Sequence, residues 1–350
     1  MNSFNSNQEA NRKALVIVAR GMVQIVLVLF ISFTSIFALQ QIDFSSLFSD
    51  GSTSKSISPS PQEKIPTIDV KKISWMAPDI EDVNDIQILY GRELVMHTSY
   101  FFGPNGKLAK VTNGMNCQNC HLEAGAKVYG NNYAMVASTY PKFRPRSGQI
   151  ESVEKRVRDC FERSLNGKPP SDSSKEMQAI VAFIKWVGSE VTEKNKPDGT
   201  GIYDLPVLKR AADPEKGKLV FTTKCVSCHG ANGEGVPNSD FTEYTYPPLF
   251  GKHSYNTGAG LFRMSRLAGY VKMNMPQPAS YLAPQLTDEE AWDVAAFINT
   301  QSRPVMNIKK DWPDISKKPF DHPFGPYADA FSEEQHKYGP FGPIKLANKR

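Results

Sequence analysis

The sequence predicts an all-α protein: two small helical units in tandem behind one N-terminal transmembrane helix. Three observations carry this. A long uncharged run opens the chain. The order helix, Cys-x-x-Cys-His, loop, helix, helix then occurs twice, and the two closing helices share Ala-Phe-Ile, at 182–184 and 296–298. The 350 residues suit about two domains of ~100–200 residues each, and 40% hydrophobic content is enough for ordinary cores. A net charge of +5 without a block of like charges argues against nucleic acid as a partner, which would need a clustered basic face.

Residues 1–13 form a polar, cytoplasmic tail. Within 14–39, Arg20 leads into the uncharged run Gly21–Leu39, and Arg12 and Lys13 lie just before it. At 1.5 Å rise per residue that run just spans a hydrocarbon core of ~30 Å. The preceding positive charges favour an N-in orientation. The run exceeds the usual apolar stretch of a signal peptide and no Ala-x-Ala site follows, so an uncleaved anchor is preferred to a cleaved signal. Either way the rest of the chain lies on the periplasmic side of a bacterial inner membrane, tethered or soluble. Residues 40–78, with Ser-Ile-Ser-Pro-Ser-Pro at 56–61, are too poor in apolar surface to fold and read as a tether.

The first unit, 79–195, reads as a helix over 86–102, the motif Cys117–His121, a loop to Arg146, a helix over 152–165 that contains Cys160, and a closing helix over 174–191. The second unit, 196–302, begins with a linker. Asp213 and Pro214 then start a helix that runs to Lys224 and into Cys225–His229. A Gly/Pro-rich stretch, a helix over 261–271, Met275-Pro276 and a helix over 288–300 capped by Thr287 complete it. Residues 303–350 show no period and read as an irregular surface tail without assigned function.

Cys-x-x-Cys-His is the attachment pattern of c-type haem. Cys117 and Cys120, and likewise Cys225 and Cys228, would form thioethers with the two haem groups, and His121 and His229 would ligate the irons. A zinc or thioredoxin-like Cys-x-x-Cys is the rival reading; the His directly after both motifs and the exported location argue against it. Each iron then needs a sixth ligand or an open site. In the second unit Met275, before Pro276 on the loop ahead of the last helix, is the first candidate, as in small c-type cytochromes, and Met273 the second. Pro247-Pro248-Leu249 resembles the haem-packing loop of those cytochromes.

The first unit has no Met at that place, and Met135 falls only 14 positions after His121. The fifth cysteine, Cys160, stands there instead. One reading is a buried free thiol. The other is a functional cluster. Arg156 and Ser164 lie one turn before and after Cys160 on the same helix face, Arg163 is three residues on, and Arg144 and Arg146 come from the preceding loop. Guanidinium groups stabilise a neighbouring thiolate, which is the better nucleophile and iron ligand, and they bind oxyanions through paired hydrogen bonds.

Three segments together resemble the dihaem thiosulfate dehydrogenases: Gly114–Gly125 around the first motif, Tyr-Pro-Lys-Phe-Arg-Pro-Arg-Ser-Gly at 140–148, and Arg-Val-Arg-Asp-Cys-Phe-Glu-Arg-Ser at 156–164. The resemblance covers roughly residues 80–302. It implies two cytochrome c-like domains, and a catalytic haem ligated by His121 and Cys160. It further implies a substrate site that includes Arg146, Arg156 and Ser164, and a second haem with His/Met ligation that passes electrons onward. The implied reaction joins two thiosulfates into tetrathionate, in either direction, with another periplasmic cytochrome or similar carrier as electron partner. Some members carry Lys directly before the second haem's Met; here that residue is Asn274. Two other readings stay open at this stage. One is a Sox-type subunit that transfers thiosulfate to a carrier protein. The other is a non-catalytic, membrane-tethered dihaem electron carrier.

Overall fold

The computed structural model describes residues 73–192 and 196–348, with Gln24 besides. Apart from Gln24, the anchor expected over 14–39 therefore lies outside the described residues, as does most of the tether. No helix among the described residues is long and apolar enough to cross a membrane.

Side-chain caps fix where most of the main helices begin. Asp85 accepts from the N–H groups of Gln87 and Ile88 at the head of α1 (Ile86–Met96), which is followed by α2 (Thr98–Phe102). Ser152 caps α3 (Val153–Arg163) and Ser174 caps α4 (Lys175–Val187). Asp213 caps α5 (Pro214–Lys224), with Pro in the first turn where its missing N–H costs nothing. After α6 (Met264–Asn274), Thr287 and Glu290 form a reciprocal capping box on α7 (Asp288–Thr300).

Two of the expected helices differ in detail. The helix expected over 86–102 breaks at His97. The Ser99 N–H, which would have closed the next turn on Val95, donates instead to Asn116 Oδ1 at 2.7 Å. Thr98 Oγ1 takes up the freed carbonyls of Leu94 and Val95 and accepts from the Cys117 N–H at 3.0 Å. The break therefore ties the first helix to the start of the first Cys-x-x-Cys-His. The helix expected over 261–271 starts at Met264 after a 3₁₀ turn over Gly260–Phe262. Its start is set from a distance, because Asp321 Oδ2 accepts from both the N–H and the hydroxyl of Ser265.

The repeat read in the sequence is a structural one. A Cβ on Gly91 of α1 would stand 2.0 Å from Ala179 O and 2.8 Å from Phe183 Cβ of α4. A Cβ on Gly217 of α5 would stand 1.9 Å from Asp293 O and 2.9 Å from Phe297 Cβ of α7. In both units a glycine lets the first helix press its backbone onto the closing helix, at a residue and the Phe four positions later. Each pair anchors one core. The first gathers Leu94, Phe161, Met177, Ile180 and Phe183; the second gathers Phe221, Leu267, Leu286, Trp292 and Ile298. The units also touch. Cys120 and Leu122 pack on the second core, Tyr270 Oη donates to Asn119 O at 3.0 Å, and Asn256 N–H donates to Arg163 O at 3.0 Å.

Two features add to the expected helical fold. β1 (Lys142–Arg144) pairs antiparallel with β2 (Gln149–Glu151), and β3 (Val236–Pro237) with β4 (Tyr244–Tyr246). These hairpins fall in segments read as loops, where strands of two or three residues are too short to show a period. The tail, expected to be irregular and on the surface, is in part helical and buried. It carries α8 (Glu333–Tyr338) and α9 (Phe341–Ala347), and Phe341 and Ile344 are buried in the second core. Such short helices, interrupted by Gly339-Pro340, leave no helical period to read.

Candidate functional site

The Cys-x-x-Cys-His motif of the first unit faces α3 across a cavity. Its empty volume is about 1010 Å³, counted out to its open mouth. Cys117, Cys120 and His121 line one side. Cys160, Arg156 and Ser164 line the other, one turn apart on α3 as the helical spacing predicts. Val157, Phe161, Leu165, Ile180 and Ile184 supply apolar walls. Among the described residues, no Asp or Glu lines this cavity.

The His121 ring stacks on Tyr133 with centroids 4.5 Å apart. Its Nδ1 lies 2.5 Å from Asn131 O, an acceptor, so Nδ1 carries the proton and Nε2 keeps its lone pair. Desolvation pushes the His121 pKa down to about 4, so the ring is neutral at pH 7. Burial pushes the Cys117 and Cys120 thiols up to about 12, leaving them uncharged. An apolar-walled cavity with two adjacent neutral thiols and a neutral imidazole suits a covalent haem. The second unit repeats the arrangement: His229 Nδ1 donates to Pro247 O at 2.8 Å, within the predicted Pro-Pro-Leu loop, and burial lowers the His229 pKa.

The two methionines of the second unit part ways. Met275 packs on the second core together with Cys225, Val226 and Leu249. Met273 points elsewhere, buried in a separate cluster with Val128 and Tyr129. Asn274 is also buried, its amide donating to Tyr129 O and Tyr270 O.

The arginines expected around Cys160 divide in the same way. Arg156 lines the cavity, and the Cys160 sulfur beside it, as thiolate, is the chief reason its guanidinium holds its proton more firmly than usual. Arg144, Arg146 and Arg163 do not line it. Arg144 Nε lies 3.8 Å from Glu151 Oε2 across the β1–β2 hairpin. Arg163 is buried and donates through both terminal nitrogens to Asp311, at 2.8 and 2.9 Å. Arg146, in the hairpin turn, donates to Gly258 O at 3.2 Å, lies 4.0 Å from the same Asp311 and sits over the Trp312 ring at 5.7 Å. Burial first, then repulsion from Arg163 and Arg156, brings the Arg146 pKa down to about 10.

Sequence reasoning missed Asp311, and it missed Lys142, Tyr140 and Thr139 as cavity residues. The alternation of β1 places Lys142 and Arg144 on one face, a signal visible only once that stretch is known to be a strand. Asp311 lies 148 positions from Arg163, beyond any local pattern.

Comparison with known proteins agrees with this architecture. Residues 107–191 match the family described as SoxA/TsdA, cytochrome c domain, and residues 214–302 match the family described as cytochrome c. Together they give the chain two cytochrome c domains, each with one covalently bound haem c. A thiosulfate dehydrogenase of Psychrobacter arcticus is 37% identical over 209 residues, 58% of this chain and 61% of that protein. One from Allochromatium vinosum is 37% identical over 200 residues, 56% of this chain and 72% of that protein. One from Thiomonas intermedia is 32% identical over 254 residues, 72% and 73% respectively. Among solved structures, the as-isolated thiosulfate dehydrogenase (TsdBA) of Marichromatium purpuratum is similar with a TM-score of 0.59 at 28% identity, covering 66% of this chain and half of that one. A Cys facing a haem-attachment motif, beside an arginine that has no carboxylate within ion-pair distance among the described residues, is thus found in a chain that belongs to the thiosulfate dehydrogenase family.

Proposed function

We propose that the chain couples two thiosulfates to tetrathionate at the cavity shared by His121 and Cys160. The observation that carries this reading is the cavity's charge. Cys160, Arg156 and Ser164 project into it together, and among the described residues no carboxylate lines it. Thiosulfate is a dianion, and bringing two together is the main electrostatic obstacle; low-dielectric walls strengthen whatever cations are present.

The residues act as follows. Arg156 and Ser164 bind the sulfonate of the first thiosulfate and aim its outer sulfur at Cys160. The Cys160 thiolate and that sulfur form an S–S bond, Cys–S–S–SO₃⁻, with release of two electrons. The outer sulfur of a second thiosulfate attacks the adduct, expels the Cys160 thiolate and leaves as tetrathionate. Charge balances at both steps, and no proton is consumed. Cys117, Cys120 and His121 would hold a haem in one domain and Cys225, Cys228 and His229 in the other, and these haems would supply the one-electron acceptors. Cys160 would help hold the first haem and Met275 the second, a reading supported by the packing of Met275, and not Met273, on the core that holds Cys225. Arg146 acts from behind this wall, adding positive potential without lining the cavity. The same residues run tetrathionate reduction in reverse. The uncharged run 21–39 holds the domains on the periplasmic side, as anchor or signal, where a second cytochrome takes the electrons.

Purified holoprotein with thiosulfate and ferricyanide tests the reading: tetrathionate should form, and its absence with both haems loaded would refute it. Electron paramagnetic resonance should show one thiolate-ligated low-spin haem that Cys160→Gly removes.

A further inference from the structure

The cavity has a second cation. Lys142, on β1, lines it with Tyr140 and Thr139. Its Nζ lies 4.8 Å from the Tyr140 ring centroid and 3.5 Å from Thr139 Oγ1. The ring and the short strand restrain the ammonium, as a cation over an aromatic face is held by the ring's quadrupole. Arg144, on the same face of the strand, has Glu151 at 3.8 Å. Lys142 has no carboxylate within ion-pair distance among the described residues.

Charge and shape give this group a use. Among the described residues, Arg156 and Lys142 are the only Arg or Lys in the cavity wall. Tetrathionate carries one sulfonate at each end. The end nearer Cys160 falls to Arg156 and Ser164, which flank it on α3. The other end, and the second thiosulfate before it reacts, needs a cation from a different element. Desolvation, and then repulsion from Arg144 and Arg156, lowers the Lys142 pKa, so an incoming dianion relieves a strain already present.

We infer that Lys142 is a specificity-determining residue that binds the outer sulfonate of the second thiosulfate, and the same end of tetrathionate. This rests on the coupling reaction proposed above. It divides the cavity into two anion subsites: an inner one on α3, where the S–S bond to Cys160 forms, and an outer one on the hairpin, from which the attacking thiosulfate is delivered.

The test is Lys142→Gln in the holoprotein, with Lys142→Arg as the conservative control. The thiosulfate KM of Lys142→Gln should rise about tenfold, the scale of one lost charge-assisted contact, and the tetrathionate KM in the reducing direction should rise with it. Intact-mass measurement adds a readout that a merely structural role would not give. The thiosulfate adduct on Cys160 should accumulate in Lys142→Gln above its wild-type level, because its formation uses the inner subsite and its discharge the outer one. Lys142→Arg should restore most of the affinity. Normal wild-type turnover with unchanged KM values in the variant would overturn this inference alone, as would adduct levels that fall in step with the rate. No tetrathionate from the wild type would overturn the coupling reaction, and the inference with it.

Discussion

Replacing Asp311 with Ala should destabilise the protein far more than a change in a late loop ordinarily does. Asp311 holds Arg163 through two hydrogen bonds at 2.8 and 2.9 Å and lies 4.0 Å from Arg146. The side chains of Arg163 and Asp311 are only 10% and 13% exposed, so solvent screens the pair little. Without the carboxylate, each guanidinium group keeps its hydrogen bond to Gly258 O, Arg146 keeps its place over the Trp312 ring, and the two repel one another. Removing one partner of a buried pair costs about 3–5 kcal/mol. At ~2–4 °C per kcal/mol for a domain of this size, the melting midpoint of the holoprotein should fall by roughly 6–20 °C. Thermal unfolding followed by far-ultraviolet circular dichroism measures this. The double variant Arg163→Met, Asp311→Leu should recover part of the loss, because it removes the Arg163 charge and its repulsion of Arg146, while Arg146 still lacks its carboxylate. A fall of less than about 2 °C in Asp311→Ala, where 1 kcal/mol corresponds to ~2–4 °C, would show that the clamp contributes nothing and refute the reasoning.

Other expectations follow from the same geometry. Cys160→Gly should abolish tetrathionate formation while a haemochrome assay still counts two haems; full activity would make Cys160 structural. Gly91→Ala and Gly217→Ala should each cost several kcal/mol, about the scale of severe overpacking, since their Cβ atoms meet backbone oxygens at 2.0 and 1.9 Å; urea unfolding of the two holo-variants reads the loss. His322 should make stability depend on pH. Burial, then Lys318, pushes its folded pKa from 6.5 down to about 4, so between those values the unfolded chain binds the extra proton. Stability therefore rises with pH through that window, by about 3 kcal/mol at most, and His322→Gln should flatten that part of a urea-midpoint profile.

The parts of this molecule legible in its sequence are those fixed by neighbours in the chain. The two attachment motifs are covalent and contiguous. Asp213 with Pro214, and Thr287 with Glu290, set helix starts within a single turn. Arg156, Cys160 and Ser164 share a face because a helix repeats at that spacing. What could not be read is set by distant partners. His97 interrupts a helix because Asn116, 17 positions after Ser99, takes that residue's N–H. Arg146 and Arg163 look like Arg156 in the sequence, yet Asp311 draws them out of the cavity wall. Lys142 reads as an ordinary loop lysine until a three-residue strand turns it toward Cys160's cavity.

The glycine joint has a wider meaning. One helix notched onto the closing helix at Gly91, and again at Gly217, is the same part used twice, down to the Phe four residues along. If the frame is common, it is not the source of the difference between the two roles proposed above, bond-making at the first site and electron passing at the second. That difference resides in the middle segment each frame carries, one bearing Cys160 and the other ending at Met275. The middle segment is then an exchangeable cassette, and a new reaction could be written into this protein without redesigning what holds it together.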